Sequence, residues 1–502
     1  MVRFYALFKA LIMIVLLAVA ALWVIPHRTP ISYGAAPGYE TQASPVNGGI
    51  TIERRPTLRW LIFPNGNQIK DAKLSLNGQI VSLQQIATGN AVALTYQPTT
   101  DLTPGNHTME YILTIAGFQS ITLSSSFVIA DKGPDLYDGK DRLKFANMET
   151  QALTVLNSYR QKLGLIELLK NDRLSMSAQA HANYQTLNHV QSHYERQGTP
   201  GFTGVTPQSR GTFYGYTGQV GEGISFASPV DSIGIDRLMD APYHRLGHIN
   251  PNYHEAGIAF SLRPESTIVD YGTPGISNDS RVMLYPYPGQ IDAKIAWFAA
   301  EDPNPLARYG QDKVTVGYPI SLSIYDDQAI EFKTLSATLT DDKQQNVAFY
   351  LVDSTQETEH KCHVFLIPIQ PLSAGKTYTA SVSGVQLQKD NSTIPLNRTW
   401  SFSTLGQLAI RHIGVITLAN DDYVEVITKN GDLPDLNYTL SMNGNKIRGY
   451  IGQERKYYSY DRSVLKNGEY TLDISSNSFL QKLTYKVLID GSGEDRRVTI
   501  IN

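Results

Sequence analysis

Apolar residues change their spacing several times along this chain, and each change marks a different element. From Ala10 to Pro26 there is an uncharged, almost wholly apolar run, preceded by Arg3 and Lys9. Its length lies between a secretory hydrophobic region and a membrane-spanning helix. Ala18-Val19-Ala20 offers a cleavage site, but the apolar run continues through Leu22-Trp23-Val24-Ile25, which favours a retained anchor at 1–26. Anchor and cleaved signal peptide both place the rest of the chain outside the cytoplasm, with the positive charges inside. A buried helix is the remaining reading. Residues 27–49, rich in Pro, Gly, Ser and Thr, read as a tether. Over 50–132 the period falls to two: Leu74 and Leu76, Leu94 and Tyr96, and Tyr111-Ile-Leu-Thr-Ile lie in short runs with turn signals at Asn65-Gly66 and Asn77-Gly78. Such spacing predicts an Ig-like β-sandwich.

The period lengthens after Gly139. Ala152, Val155, Leu156, Tyr159 and Leu163 stand at i, i+3, i+4, i+7 and i+11, and Gly164 sits where that helix should stop. Leu174, Ala178, His181 and Ala182 predict a second helix, and Ser232 to Asp240 a third, weakened by Gly234. Strands are expected near Glu255–Leu262, Thr267–Tyr271 and Val282–Tyr285. Helices on a sheet make 140–300 an α+β unit, an α-β-α sandwich. The helical signal ends near Pro303-Asn-Pro305, and 303–405 and 406–502 read as two further Ig-like β-sandwiches. Leu102 to His107, Leu372 to Tyr378 and Leu465 to Tyr470 share one phrase: Leu, two residues, Gly, then His or Tyr two or three on. Each instance opens a strand, so the β-rich segments read as modules of one type. The chain is therefore expected to be multidomain, with a central α+β domain flanked by all-β sandwiches and an N-terminal transmembrane or signal helix.

Composition narrows the partners. The 502 residues carry a formal net charge of −3, with 42% hydrophobic and 18% charged residues, which suits folded domains and gives no electrostatic footing for nucleic acid. Cys362 is the only cysteine, so no intrachain disulfide exists and stability must come from packed cores.

The chemistry-bearing residues gather in the central unit. Ser192-His193, Gly221-Glu222-Gly223 and Ala241-Pro242-Tyr243-His244-Arg245 place two imidazoles and a carboxylate beside glycine or proline, as a preformed polar cleft would. Two neutral imidazoles bind Zn²⁺ or a similar divalent ion and leave positions open for water. Glu222 is then either a third metal ligand or a group orienting a histidine. The equal alternative is a metal-free, hydrogen-bonded groove. Arg210 and Arg245 read as loop ties, or else as contacts for an anionic ligand. His181 falls on an apolar helix face and reads as a satisfied core histidine. His189, His248 and His254 read as turn or solvent residues. Cys362 and His363 face opposite ways on a strand, which argues against joint ligation with His360. Asp326-Asp327, Asp341-Asp342 and Asp421-Asp422 read as solvated turns. Gly221 and Gly223 read as letting the backbone bend around Glu222. There is no H-E-x-x-H and no G-x-S-x-G.

Residues 148–262 resemble the cysteine-free bacterial branch of the CAP superfamily, also called SCP-like extracellular proteins. The resemblance rests on Leu156-Asn157-Ser-Tyr-Arg160, Gly164-Leu165, Leu169, Leu174, Ala178, Ser192-His193, Gly198, Pro200, Arg210, Gly215-Tyr216, Gly221-Glu222, Leu238 to Arg245, Asn250-Pro251 and Ala256-Gly257-Ile258. It implies a central groove with two histidines and up to two glutamates. By motif, His193, Glu222 and His244 take three places; the second glutamate should fall near Ala241, where there is none. The resemblance implies a surface-anchored or secreted protein whose groove, with His193, Glu222, His244, Arg210 and Arg245, takes a lipid or cell-envelope molecule. A metal-dependent hydrolase and a structural, adhesive surface protein are the alternatives.

Overall fold

Strict alternation of buried and exposed side chains builds the N-terminal strands. Met109, Tyr111, Leu113 and Ile115 are buried, while Glu110 and Ile112 between them are exposed. The computed structural model describes residues 37–40, 43–45, 47–88, 91–133, 142–227, 232–262, 265–275, 279–326, 328–353, 361–418, 421–447, 449–451, 456–459, 465–492 and 496–501. The apolar segment 10–26 lies outside them, as do His360 and Asp327. No helix among the described residues is long and apolar enough to cross a membrane.

The chain divides into two units. The first comprises the described residues up to Ala43 together with 59–96 and 108–124. Residues 50–132, expected as one sandwich, are thus shared between the units. In the first unit Ile69–Leu76 pairs antiparallel with Met109–Ile115 and turns through Asn77-Gly78 into Gln79–Val81. Both turn residues have positive φ, 51° and 80°, as a tight hairpin requires. Asn65-Gly66 also has positive φ, but it carries the chain from one sheet to another instead of closing a hairpin. Trp60 packs against Tyr111 and donates Nε1–H to the Glu40 carbonyl.

The second unit holds 44–58, 97–107 and 125–502. Its centre is a four-stranded sheet. The elements are α1 (Arg142–Lys162), β1 (Leu169–Lys170), α2 (Asp172–Asn188), α3 (Pro207–Phe213), β2 (Gln219–Ser225), α4 (Ile233–Asp240), α5 (Pro242–His248), β3 (Glu255–Leu262) and β4 (Glu265–Thr273). The sheet order is β1-β3-β4-β2, parallel only between β1 and β3. Alternation on β3 separates its faces. Ala256, Ile258 and Phe260 join α1 and α4 through Ala152, Leu156, Ile235 and Leu238. Ala259 joins Ala178 and Ala182 of α2 on the other side. The three layers are those of an α-β-α sandwich. Gly257 permits the contact with α2, since a Cβ there would lie 2.0 Å from the Ser175 amide nitrogen.

One strand departs from expectation. The strand expected at Val282–Tyr285 with the central sheet forms as Arg281–Tyr285, but it pairs with Ile320–Tyr325. Ala293, Ile295 and Ala296 likewise enter the downstream core with Ile320 and Leu366. By strand pairing these residues join the downstream sheets ahead of Pro303, while Met283, Tyr285 and Trp297 also pack against Leu165, Met239 and Tyr243 of the central unit. The last module pairs Ile410–Leu418 with Asp421–Thr428, and Asn437–Met442 with Gly468–Ser475. The repeated phrase has one structural meaning. His107 Nε2 donates to the Thr103 carbonyl at 2.8 Å, Tyr378 Oη accepts from the Ser373 amide at 2.8 Å, and Tyr470 Oη donates to the Lys466 carbonyl at 2.7 Å. Each ring ties its strand back to the turn just before it, as tyrosine corners do in sandwich domains.

Arg160 shows how the central unit fixes its loops. It is fully buried, and its guanidinium donates to the carbonyls of Ile166, His248, Asn250 and Tyr253 at 2.9–3.0 Å. Burial lowers its pKa to about 10, which still leaves it charged at neutral pH. Replacing it leaves four carbonyls without a donor. Arg160→Ala should therefore destabilise the central unit by about 3 kcal/mol or more, read as a lower denaturant midpoint. An unchanged midpoint would mean that these carbonyls find water instead.

Candidate functional site

The loop after α2 is organised from beneath. His181, buried on α2, donates Nε2–H to the Ser192 carbonyl at 2.7 Å and places Nδ1 3.0 Å from Glu195 Oε1. Glu195 Oε2 accepts the amides of Thr203 and Gly204 at 2.7 and 3.2 Å. His181 is a satisfied core histidine, and its partners bracket His193. Helix α3 starts at a capping box, Thr206 with Ser209, and Pro207 at its first turn. That start places Arg210 under the loop, where Nη1 donates to the His193 carbonyl at 3.0 Å and Nη2 to Glu222 Oε2 at 2.5 Å.

Glu222 projects from β2 on the face that carries Ile224 against α2. Its Oε1 accepts Nδ1–H of His193 at 2.8 Å, and its side chain is 1% exposed. Burial alone would raise this carboxyl, but Arg210, with His181 and His193, outweighs it and holds the pKa at about 2. Across the strands, Asp270 of β4 pairs in register with Glu222. It is fully buried; burial and the neighbouring Glu222 charge push its carboxyl well above the usual carboxylate range. The flanking glycines do not bend the chain, since neither has positive φ. Their role is clearance: a Cβ at Gly221 would meet the Tyr253 hydroxyl at 2.1 Å.

His244 lies on α5, and its acid comes from beyond the central sheet. Glu301 Oε1 accepts both the backbone N–H of His244 at 2.9 Å and its Nδ1–H at 2.7 Å. The Glu301 side chain is 0% exposed. The missing second glutamate is thus supplied 57 residues downstream. The rings of His193 and His244 stack with centroids 6.3 Å apart and 25° between planes. No hydrogen bond engages either Nε2 among the described residues. The two rings border a cavity of about 340 Å³ whose apolar walls include Ile224, Phe226, Leu238, Trp297 and Phe298.

The remaining expectations divide. His193, Glu222 and His244 meet as one cluster, but Glu222 is not free to ligate a metal: one oxygen is held by His193 and the other by Arg210. It orients His193 instead. Among the described residues no group of three His, Cys, Asp or Glu side chains is arranged to hold an ion, so a metal here would have two protein nitrogens. Arg210 and Arg245 do not line the groove. Arg245 is fully buried, donates to the carbonyls of Met239, Asp240 and Pro319, and stacks on Tyr285. His189 caps α2 with φ 52°. His248 is not a surface residue: it is fully buried, accepting from Tyr271 Oη at 2.5 Å and donating to the Ile235 carbonyl at 3.2 Å. Burial lowers its pKa to about 3. Cys362 is half-buried, with its thiol raised to about 11 by burial. Asp341 accepts the amides of Lys343 and Gln345, as a turn aspartate does. Glu195 and Glu301 escaped the sequence reading. Glu195 had a local signal, two residues after His193; Glu301 had none.

Residues 153–269 match the profile of CAP, the cysteine-rich secretory protein family. The matched span contains His193, Glu222, His244 and Arg210, with their observed geometry. The central unit is a CAP domain. Solved structures similar to the chain include an outer surface protein from Borrelia burgdorferi, 19% identical, covering 27% of this chain and 96% of that one, with a TM-score of 0.22. An extracellular protein containing a SCP domain from Bacillus anthracis is 12% identical and covers 44% and 67%, with a TM-score of 0.25. The N-terminal Ig1-2 module of a Drosophila receptor protein tyrosine phosphatase is 10% identical and covers 42% and 99%, with a TM-score of 0.15. Scores this low carry no argument for the chain, and the assignment rests on the family profile. No curated protein matches the chain. The CAP match ends before Glu301, so the residue that anchors His244 lies outside the part of the chain the family defines.

Two buried groups of the CAP domain, His248 and Glu222, contribute to its acid stability with the same sign, opposed by Asp270, whose carboxyl burial raises. His248 takes up a proton near 6.5 when unfolded but only near 3 when folded, and Glu222 near 4.5 when unfolded but only near 2 when folded. In both cases the unfolded state binds the proton first as pH falls, so stability declines with falling pH. The melting temperature should begin to drop below about pH 6.5 and fall further between about 4.5 and 2. Glu222→Gln should flatten the lower limb alone. A melting temperature independent of pH from 7 to 3 would contradict this electrostatic assignment.

Proposed function

We propose that the chain acts outside the cytoplasm, and that its CAP groove binds a small amphipathic molecule of the cell envelope, a lipid or a wall fragment. The observation that carries this reading is the two-sided cavity. One side presents two imidazoles locked at Nδ1 by buried carboxylates; the other is aromatic and aliphatic, with Trp297, Phe298, Phe226 and Leu238. Carboxylates on Nδ1 fix the tautomer so that each Nε2 carries its lone pair towards a ligand. A polar head meets the imidazoles and an apolar tail meets the aromatic wall. The apolar N-terminal run at 10–26 and the CAP family description support the extracytoplasmic setting.

The same lone pairs suit a divalent cation. Zn²⁺ would be held by His193 and His244 with water in the remaining positions, while Glu222 and Glu301 strengthen the imidazoles from behind. Such an ion would supply Lewis acidity to a bound headgroup. A hydrolytic role finds less support in the residues, because Glu222 is a poor general base with its pKa near 2 and both oxygens engaged.

Two measurements test the reading. Lipids extracted from the purified full chain and identified by mass spectrometry should include a species that is absent from a Trp297→Ala, Phe226→Ala variant of unchanged fold. A wild-type groove that is repeatedly empty, with no lipid or muropeptide raising the melting temperature, removes the amphipathic ligand. Separately, Zn²⁺ at a hundredfold excess over its Kd should stabilise the wild type by about 2.7 kcal/mol and leave a His193→Ala, His244→Ala variant unmoved. Equal stabilisation of both proteins removes the metal.

A further inference from the structure

A second cavity, of about 390 Å³, lies beside the histidine groove within the same unit. The two share a wall of Ile233, Arg237, Glu425, Ile427 and Asp432. Nothing in the histidine chemistry uses this second cavity, yet it is the more elaborately built of the two. Three of its five cations are already paired with carboxylates, while Lys162 meets Asp292 only at 3.9 Å and Lys429 is exposed. Lys294 lies 2.6 Å from Asp240, Arg237 2.6 Å from Asp432, and Arg411 2.8 Å from Asp236. Tyr159 donates to Asp236 at 2.7 Å and Tyr318 to Asp240 at 2.9 Å. Five cations and five carboxylates line it, so their formal charges cancel.

The lining selects a class of ligand by elimination. A permanent anion would face the five carboxylates of the lining, and displacing one of them from its cation would leave it unmatched, which is strongly unfavourable. An apolar chain would strip water from the ion pairs and return no hydrogen bond. A neutral polyhydroxylated molecule meets neither penalty, because each hydroxyl both donates and accepts and can bridge the two halves of an existing pair. The cavity also offers the flat groups such a molecule packs against. Tyr287, half-buried, lines the cavity together with the buried Tyr285, and burial and the nearby Asp292 charge raise the Tyr287 phenol above its ordinary value. Gln290 is 6% exposed and spends its carbonyl oxygen on the Tyr287 amide, leaving its own amide N–H groups without a partner among the described residues. The volume falls within the range of small-molecule sites, about 300–1,000 Å³.

From these features we infer that the cavity bounded by Tyr285, Tyr287, Gln290 and Lys294 is a binding site for a segment of neutral glycan. The ligand enters between the CAP domain and the downstream β modules, because α4 supplies Asp236 and Arg237 while Arg411 and Asp432 come from the last module. This site is separate from the amphipathic groove and stands or falls without it.

The test is isothermal titration of the full chain with three neutral probes: cellotetraose, xylotetraose and the tetrasaccharide of β-1,4-linked N-acetylglucosamine. At least one should bind, and Tyr287→Ala and Gln290→Ala should each weaken it about tenfold, with Tyr287→Phe less affected. His193→Ala should leave the affinity unchanged, which separates this site from the histidine groove. Melting curves of each variant confirm that the fold persists. Absence of binding by all three probes overturns the inference. Binding that survives both cavity variants, or that His193→Ala abolishes, overturns it equally.

Discussion

One guanidinium sets the geometry of the histidine site. Arg210 is fully buried and touches both sides of the cleft at once: it donates to the His193 carbonyl and to the Glu222 carboxylate, with Glu195 3.9 Å from its Nε. A buried cation is costly unless it is met by matched charge, and here three carboxyls surround it. Three ionised acids would exceed one cation and its neighbouring histidines. The excess is eased at Asp270, whose carboxyl burial and the Glu222 charge push well above the usual carboxylate range. Glu222 can then stay ionised in a dry site and hold His193 by Nδ1. The orientation of the exposed ring follows from a charge balance beneath it, and the ring itself need only be in reach.

The second imidazole is held differently. His193 depends on residues of its own domain, whereas His244 depends on Glu301, which follows the strand Ala296–Phe298 of the downstream β module. The same module edge supplies Trp297 and Phe298 to the cavity wall. Pairing of Ala296–Phe298 with Thr315–Gly317 therefore positions part of the groove. The ion pairs Arg237–Asp432 and Arg411–Asp236 add the last module to the same arrangement. A CAP domain cut at the end of its family match would keep His193 and Glu222 in place and lose the acid that fixes His244. The β modules are more than spacers in this respect: they finish the cleft.

What could be read from the residue pattern follows from how local each determinant is. Helix α1 was legible because a single face is buried along its length, and Gly164, at φ 69°, ends it where expected. Helices α3 and α5 were missed. Each has seven residues, too few for a period to register; α5 starts at Pro242 with no side-chain cap, and α3 at Pro207 beside the short Thr206–Ser209 capping box. Arg281–Tyr285 was legible as a strand but not as a partner of Ile320–Tyr325, because alternation fixes which face is buried and says nothing about which strand lies beside it. Among site residues, His193, Glu222 and His244 stood out through glycine and proline neighbours. Glu301 did not, because its partner is remote in sequence and its neighbourhood at Asp302-Pro303 was marked only by the end of the helical signal. Arg245 was misplaced for a related reason: its carbonyl partners at Met239, Asp240 and Pro319 have no side-chain signature at all.

The arginines also bear on how such a domain stays closed with no disulfide. Cys362 lies outside the central sheet, and no second cysteine exists to pair with it. Arg160, Arg210 and Arg245 are all fully buried, and each joins segments far apart in sequence. Arg160 ties α1 to the loop through Tyr253, Arg210 ties α3 to β2 and to His193, and Arg245 ties α5 to Pro319 of the next module. A guanidinium suits this work because five donors leave one planar group in fixed directions, so a single side chain satisfies several buried carbonyls that no strand or helix reaches. A disulfide restrains one pair of positions and depends on the redox state of its surroundings. A buried arginine such as Arg160 or Arg245 restrains three or four positions and does not. Its stabilisation is lost all at once if the side chain is removed, because every carbonyl it served is left buried and unpaired.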